Sequence, residues 1–176
     1  MENDRRVQTI TKVTKVFVPV LIALAIVGIW YIKTGEKQDA APTPQEAGLE
    51  AAQADLTEWK ASGLPVVVVF GTQTCPVCEE MKPVLKTLNA EYQGRAIIRY
   101  IDLTAHPNAA VDFPVPAVPA LFFFDKDGRP YEPGDAQAIE MTLYSDSDTG
   151  AHVYTAHMGG MTADQVRAVL SEMGVR

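Results

Sequence analysis

The chain has 176 residues, 47% of them hydrophobic, and a formal net charge of −7. With a membrane segment and a linker set aside, roughly 130 residues remain, enough for one packed domain and too apolar for global disorder. From Gln38 onward there are 9 Lys+Arg against 19 Asp+Glu, and this acidic balance repels nucleic acid and anionic lipid headgroups. No glycine-rich phosphate-binding motif occurs, and the only two cysteines, Cys75 and Cys78, are too few and too close to staple a scaffold.

Residues 1 to 15 read as a short cytoplasmic N-terminus. Val16 to Ile32 then run without a charge and predict a transmembrane helix, near the lower limit of length. Trp30 and Tyr31 close it with rings that favour the membrane interface. Arg5, Arg6, Lys12 and Lys15 precede the segment, whereas only Lys33 and Lys37 follow closely. The excess of basic residues on the N-terminal side places the N-terminus in the cytoplasm and the remainder outside it. A cleaved signal peptide is the competing reading, opposed by the length of the apolar run and the lack of a prompt small-x-small site. Residues 33 to 48, polar and with two prolines, read as a linker.

Residues 49 to 176 form the expected domain. Leu49, Ala52, Leu56 and Trp59 share a helical period that stops at Gly63. The run PVVVVF, 65–70, predicts a strand covered on both faces. A helix from Pro76 carries Val77, Met81, Val84, Leu85, Leu88 and Tyr92 on one stripe. Strands are predicted over 96–102 and 120–125, with a short helix over 105–112 between them. Two strand-like runs, 136–144 and 151–158, are joined by an acidic hairpin tip at Asp146 and Asp148 that reads mainly as a solvated loop. Thr162 and Gln165 form a capping box for a last helix that ends at Gly174.

The chemistry concentrates at Cys75-Pro76-Val77-Cys78, a strand-to-helix junction. Proline suits the first helical position, and the free N–H groups of the first turn favour negative charge at Cys75. The thiolate is the nucleophile, so this placement activates Cys75. Cys78, one turn on, is in reach to resolve a mixed disulfide. A zinc site would need two further ligands. His152 and His157 have a permissible spacing but an odd separation on one strand, which turns them to opposite faces, so no metal is expected. Two buried, inert cysteines are the plainer alternative, and the helix-start position argues against it.

Over about residues 49–174 the chain resembles the thioredoxin family. CPVCEEMKP matches the family's C-x-x-C-x-x-x-x-P, with Pro83 at the proline inside the active-site helix. Val118-Pro119-Ala120-Leu121 resembles the cis-proline loop before a strand; Pro114 and Pro116 are nearby candidates, and Pro119 is preferred because the strand starts directly after it. The resemblance implies an α/β thioredoxin-like fold, a central mixed β-sheet flanked by helices, here preceded by the transmembrane helix. It implies a thiol–disulfide oxidoreductase in which Cys75 attacks, Cys78 resolves, and Pro76, Val77, Val118 and Pro119 meet the substrate. No cofactor is implied beyond a reversible Cys75–Cys78 disulfide. Partners would be exported proteins with thiols or disulfides and a membrane electron donor or acceptor. A dithiol oxidase, or a non-catalytic binding module or metal chaperone of the same fold, are the alternatives.

Three departures stand out. Thr74 replaces the family's tryptophan, Val69 its buried aspartate, and Ile98 the lysine paired with that aspartate. The proton of Cys78 must therefore leave by another route.

Overall fold

Val66–Gly71 (β1) is buried along its whole length, as expected of a β-branched apolar run with both faces covered. A computed structural model of the chain describes residues 48–134 and 139–176. The N-terminal stretch 1–15, the anchor expected over 16–32, and nearly all of the 33–48 linker lie outside the described residues. Among the described residues, no helix is long and apolar enough to cross a membrane.

β1 lies between Ile97–Asp102 (β2) and Ala120–Phe124 (β3). It runs parallel to β2, with Val66 opposite Ile97 and Gly71 opposite Asp102, and antiparallel to β3, with Val66 opposite Phe124. Thr142–Ser145 (β4) and His152–Met158 (β5) complete a mixed sheet in the order β2-β1-β3-β5-β4. The parallel β1–β2 pair needs a long crossover, and Pro76–Glu91 (the second helix, α2) supplies it. The first helix is Leu56–Ala61 (α1) and the last is Ala163–Glu172 (α3).

Alternation along the strands divides the core between two faces. Val67, Val69, Ile98, Tyr100, Leu121 and Phe123 pack beneath Met81, Leu85 and Leu88 of α2 and Val166, Val169 and Leu170 of α3. Val66, Val68, Phe70, Ile101, Phe122 and Phe124 face the other way, against Trp59 of α1 and Phe113. Both halves of the α3 capping box are made: the Gln165 N–H donates to the Thr162 Oγ1 (3.3 Å) and the Thr162 N–H to the Gln165 Oε1 (2.8 Å). Arg167 of α3 grips Glu91 at the end of α2 through Nη2 at 2.8 Å. Pro83 lies inside α2, which continues to Glu91.

The helix expected from Leu49 begins only at Leu56, where the Asp55 side chain accepts the Glu58 N–H at 2.9 Å. Before it, Leu49 to Ala51 run beside β2. The Tyr100 N–H donates to the Leu49 carbonyl (2.8 Å) and the Ala51 N–H to the Tyr100 carbonyl (2.9 Å). β2 is otherwise an edge, and its unpaired backbone groups hold this segment more strongly than a weak helical period does.

The short helix expected over 105–112 is a chain of turns instead, with the Ala109 N–H on the His106 carbonyl (3.0 Å) and the Phe113 N–H on that of Ala110 (2.9 Å). Pro107 has no N–H to give a helix. Tertiary packing sets the loop, because the Phe113 ring sits 4.8 Å from that of Phe70, 5.0 Å from Phe122 and 5.2 Å from Tyr154.

The expected hairpin forms between β4 and β5, although β4 begins only at Thr142 and residues 135 to 138 are outside the described set. At its tip Asp146 Oδ1 accepts the N–H groups of Asp148 (3.1 Å) and Thr149 (2.8 Å) and the Thr149 hydroxyl (2.7 Å). Those bonds hold the Asp146 carboxyl below the usual range. Asp146 thus builds its own turn.

Candidate active site at the start of the second helix

β1 ends at Gly71, and four residues later Cys75 caps α2 with an extended backbone, Pro76 following at the head of the helix. The Cys75 Sγ takes the role that a serine or aspartate oxygen usually fills, accepting the N–H of Cys78 at 3.2 Å. On its other side the Cys75 thiol faces the carbonyl of Val118 at 3.8 Å. The Val118–Pro119 peptide is cis. Two segments far apart in sequence therefore meet at one sulfur.

The two thiols are free and differently placed. Cys75 is partly exposed and Cys78 wholly buried. Burial, the hydrogen bond with Cys75, and the charges of Cys75 and Glu79 push the Cys78 thiol up to about 11, against a weaker opposing bond from the Thr72 backbone. Cys78 is therefore a neutral thiol at physiological pH. One sulfur is presented to a partner while the other waits beneath it.

The remaining predicted site residues surround this pair. Pro76 and Val77 are exposed, Val118 is half-buried, and Pro119 is buried. Sequence reasoning overlooked a further wall. The Gly159 N–H donates to the Pro119 carbonyl at 2.8 Å, and a β-carbon on Gly160 would stand 2.8 Å from the Val77 Cγ1. The signal available was a Gly-Gly pair directly before the α3 capping box, which by itself marks only a turn. Val69 and Ile98 are both fully buried, so no carboxylate or ammonium stands at those two positions. His157 Nδ1 pairs with the Glu140 carbonyl (2.8 Å) and His152 Nε2 with the Thr155 hydroxyl (2.8 Å), each apart from the cysteines.

Residues 52–146 match the family model described as a thioredoxin-like domain. The thioredoxin of Staphylococcus aureus strain Mu50 is 33% identical over 84 residues, covering 48% of this chain and 79% of that one. The thioredoxin of strain MW2 matches with the same figures. The chain belongs to the thioredoxin family. The crystal structure of chloroplastic thioredoxin z shares the fold, with a TM-score of 0.51 at 14% identity over 73% of this chain and 96% of that one.

In this thioredoxin-family protein the matched span carries both cysteines and the cis bond, while β5, Gly159, Gly160 and α3 lie beyond it. Its relatives support a thiol–disulfide oxidoreductase kind of activity.

Proposed function

We propose that the protein is a membrane-anchored, extracytoplasmic thiol–disulfide oxidoreductase that reduces or isomerises disulfides of exported proteins. The observation that carries this reading is the pairing of a partly exposed Cys75 at a helix N-cap with a buried Cys78 one turn on, opposite Val118. The Cys75 thiolate attacks a substrate disulfide, and one substrate sulfur leaves with the electron pair. Cys78 then loses its proton and attacks Cys75 Sγ. The second substrate sulfur leaves, and two electrons have passed from the dithiol to the substrate. Val77, Val118 and the Gly159–Gly160 turn form the surface against which the substrate chain lies, and no cofactor beyond the Cys75–Cys78 disulfide takes part.

The location rests on the uncharged run Val16 to Ile32 and on the four basic residues before it against two after it. Cytosolic reductases do not reach that side of a membrane, so a membrane electron carrier would re-reduce the Cys75–Cys78 disulfide. Protease added to intact spheroplasts should digest the domain; protection until lysis would reverse the orientation.

Trapping tests the chemistry. Cys78→Ser keeps the attacking sulfur and removes the resolving one, so it should carry covalent partners that dithiothreitol releases. Cys75→Ser should carry almost none. Equal recovery of partners from both variants would mark a binding module instead of an oxidoreductase.

A further inference from the structure

β1 ends at Gly71, opposite Asp102 at the end of β2, and a short surface loop, Thr72 to Thr74, leads from there to Cys75. Bonds inside that loop are long. The Cys75 N–H reaches the Thr72 carbonyl at 3.3 Å, and the Thr72 and Thr74 hydroxyls stand 3.5 Å apart. Bonds to the end of β2 are shorter. Gln73 Nε2 donates to Asp102 Oδ2 at 2.8 Å, and the Gln73 N–H donates to Thr104 Oγ1 at 3.2 Å. Asp102 Oδ1 accepts the Thr104 N–H at 2.8 Å, and the Leu103 N–H donates to the Gly71 carbonyl at 2.8 Å. One carboxylate therefore holds the Gln73 side chain directly and also holds the residue that grips the Gln73 backbone. An ionised carboxylate only accepts, so the Gln73 amide turns its NH₂ toward Asp102.

We propose that Gln73 and Asp102 form a clamp that positions the Cys75 sulfur for attack. This rests on the reading of Cys75 as the attacking sulfur of a dithiol. Gln73 lies two residues before Cys75. The Cys75 Sγ accepts the Cys78 N–H at 3.2 Å while Cys75 keeps its extended backbone (φ −93°, ψ 111°), and the same thiol faces the Val118 carbonyl at 3.8 Å. Drift of the loop would turn the sulfur away from both partners. Reaction rate falls steeply when a reacting atom is misplaced, even by a change remote from the chemistry. Stability is far less sensitive here, because Gln73 is exposed and Asp102 only half-buried, so the core packing does not depend on them. Both residues act through the loop and are positioning residues, not catalytic ones.

The probe is dithiodipyridine, a neutral aromatic disulfide, mixed with the reduced full chain in a stopped-flow instrument. The Cys75 thiolate bonds to one pyridyl sulfur, and the other leaves as thiopyridone. Cys78 then bonds to the Cys75 Sγ, and its proton leaves with the second thiopyridone. Gln73→Ala should slow the first release about fivefold at neutral pH. Gln73→Glu combined with Asp102→Asn exchanges donor and acceptor at unchanged net charge, and should restore the rate to within about twofold of wild type. The Cys78 amide ¹H–¹⁵N resonance reports the bond to the Cys75 Sγ. It should move in Gln73→Ala and return in the exchanged pair, with the Tm nearly constant throughout. A Gln73→Ala rate equal to wild type, a paired variant as slow as Gln73→Ala, or a Cys78 resonance that stays in place overturns the proposal. A wild type that releases a single thiopyridone overturns the dithiol reading instead, and the first release still decides the clamp.

Discussion

The sulfur of Cys75 accepts the backbone N–H of Cys78 at 3.2 Å, so one cysteine caps the helix that carries the other. The same arrangement leaves Cys75 partly exposed and Cys78 fully buried. With limiting iodoacetamide near neutral pH, the reduced protein should be carbamidomethylated at Cys75, with Cys78 modified only after unfolding. Peptide mass mapping reads this directly. Prior or equal modification of Cys78 would exchange the two roles.

Cys78 also makes stability depend on pH. Its folded value, about 11, lies above the ordinary thiol value of 9.0. The folded state therefore holds this proton more tightly than the unfolded state. That contribution is complete below pH 9.0 and is lost as pH rises through about 11. Its size is on the order of 2 kcal/mol. Denaturant titrations of the reduced protein should show a loss of stability across this window that exceeds the loss in Cys78→Ala. Parallel curves would show that Cys78 is not shifted by the fold.

Gly160 tests the third wall of the site. Its missing β-carbon would stand 2.8 Å from the Val77 Cγ1, and valine is stiff at χ1. Gly160→Ala should displace Val77 while leaving the Tm nearly unchanged, because Val77 is 44% exposed. The expected loss in kcat/KM on a protein disulfide is about tenfold, with little effect on a small disulfide that needs no docking surface. Equal losses on both substrates would remove Val77 and Gly160 from substrate docking.

Phe113 holds the loop that leads to Val118. Its ring packs among those of Phe70, Phe122 and Tyr154, and the Tyr154 hydroxyl donates to the Asp112 carbonyl at 2.7 Å. Phe113→Ala should cost about 3 kcal/mol in a urea titration. Cys75 should also exchange more slowly with protein disulfides, since Val118 is reached through this loop. A loss under ~1 kcal/mol would mean that the loop is held by its backbone turns alone.

Local pattern was enough for several features of this protein. The apolar β-branched run at 65–70 encodes a central strand because few apolar, β-branched stretches of that length are stable except between two covered faces. Cys75-Pro76 encodes a helix start, and Thr162 with Gln165 another, because the groups that satisfy a helix N-terminus lie within three residues of it.

Tertiary structure alone decided the rest. Leu49 to Ala51 lie along β2 because an edge strand half the domain away needed partners, which no helical period near Leu49 records. The loop at 105–112 follows the burial of Phe113 rather than its own propensity. Gly160 reaches Val77, and the Tyr100 ring reaches Gly71, only once the strands are registered and both helices dock on one face. These contacts join residues distant in sequence, and their energy depends on geometry that neighbouring residues do not encode.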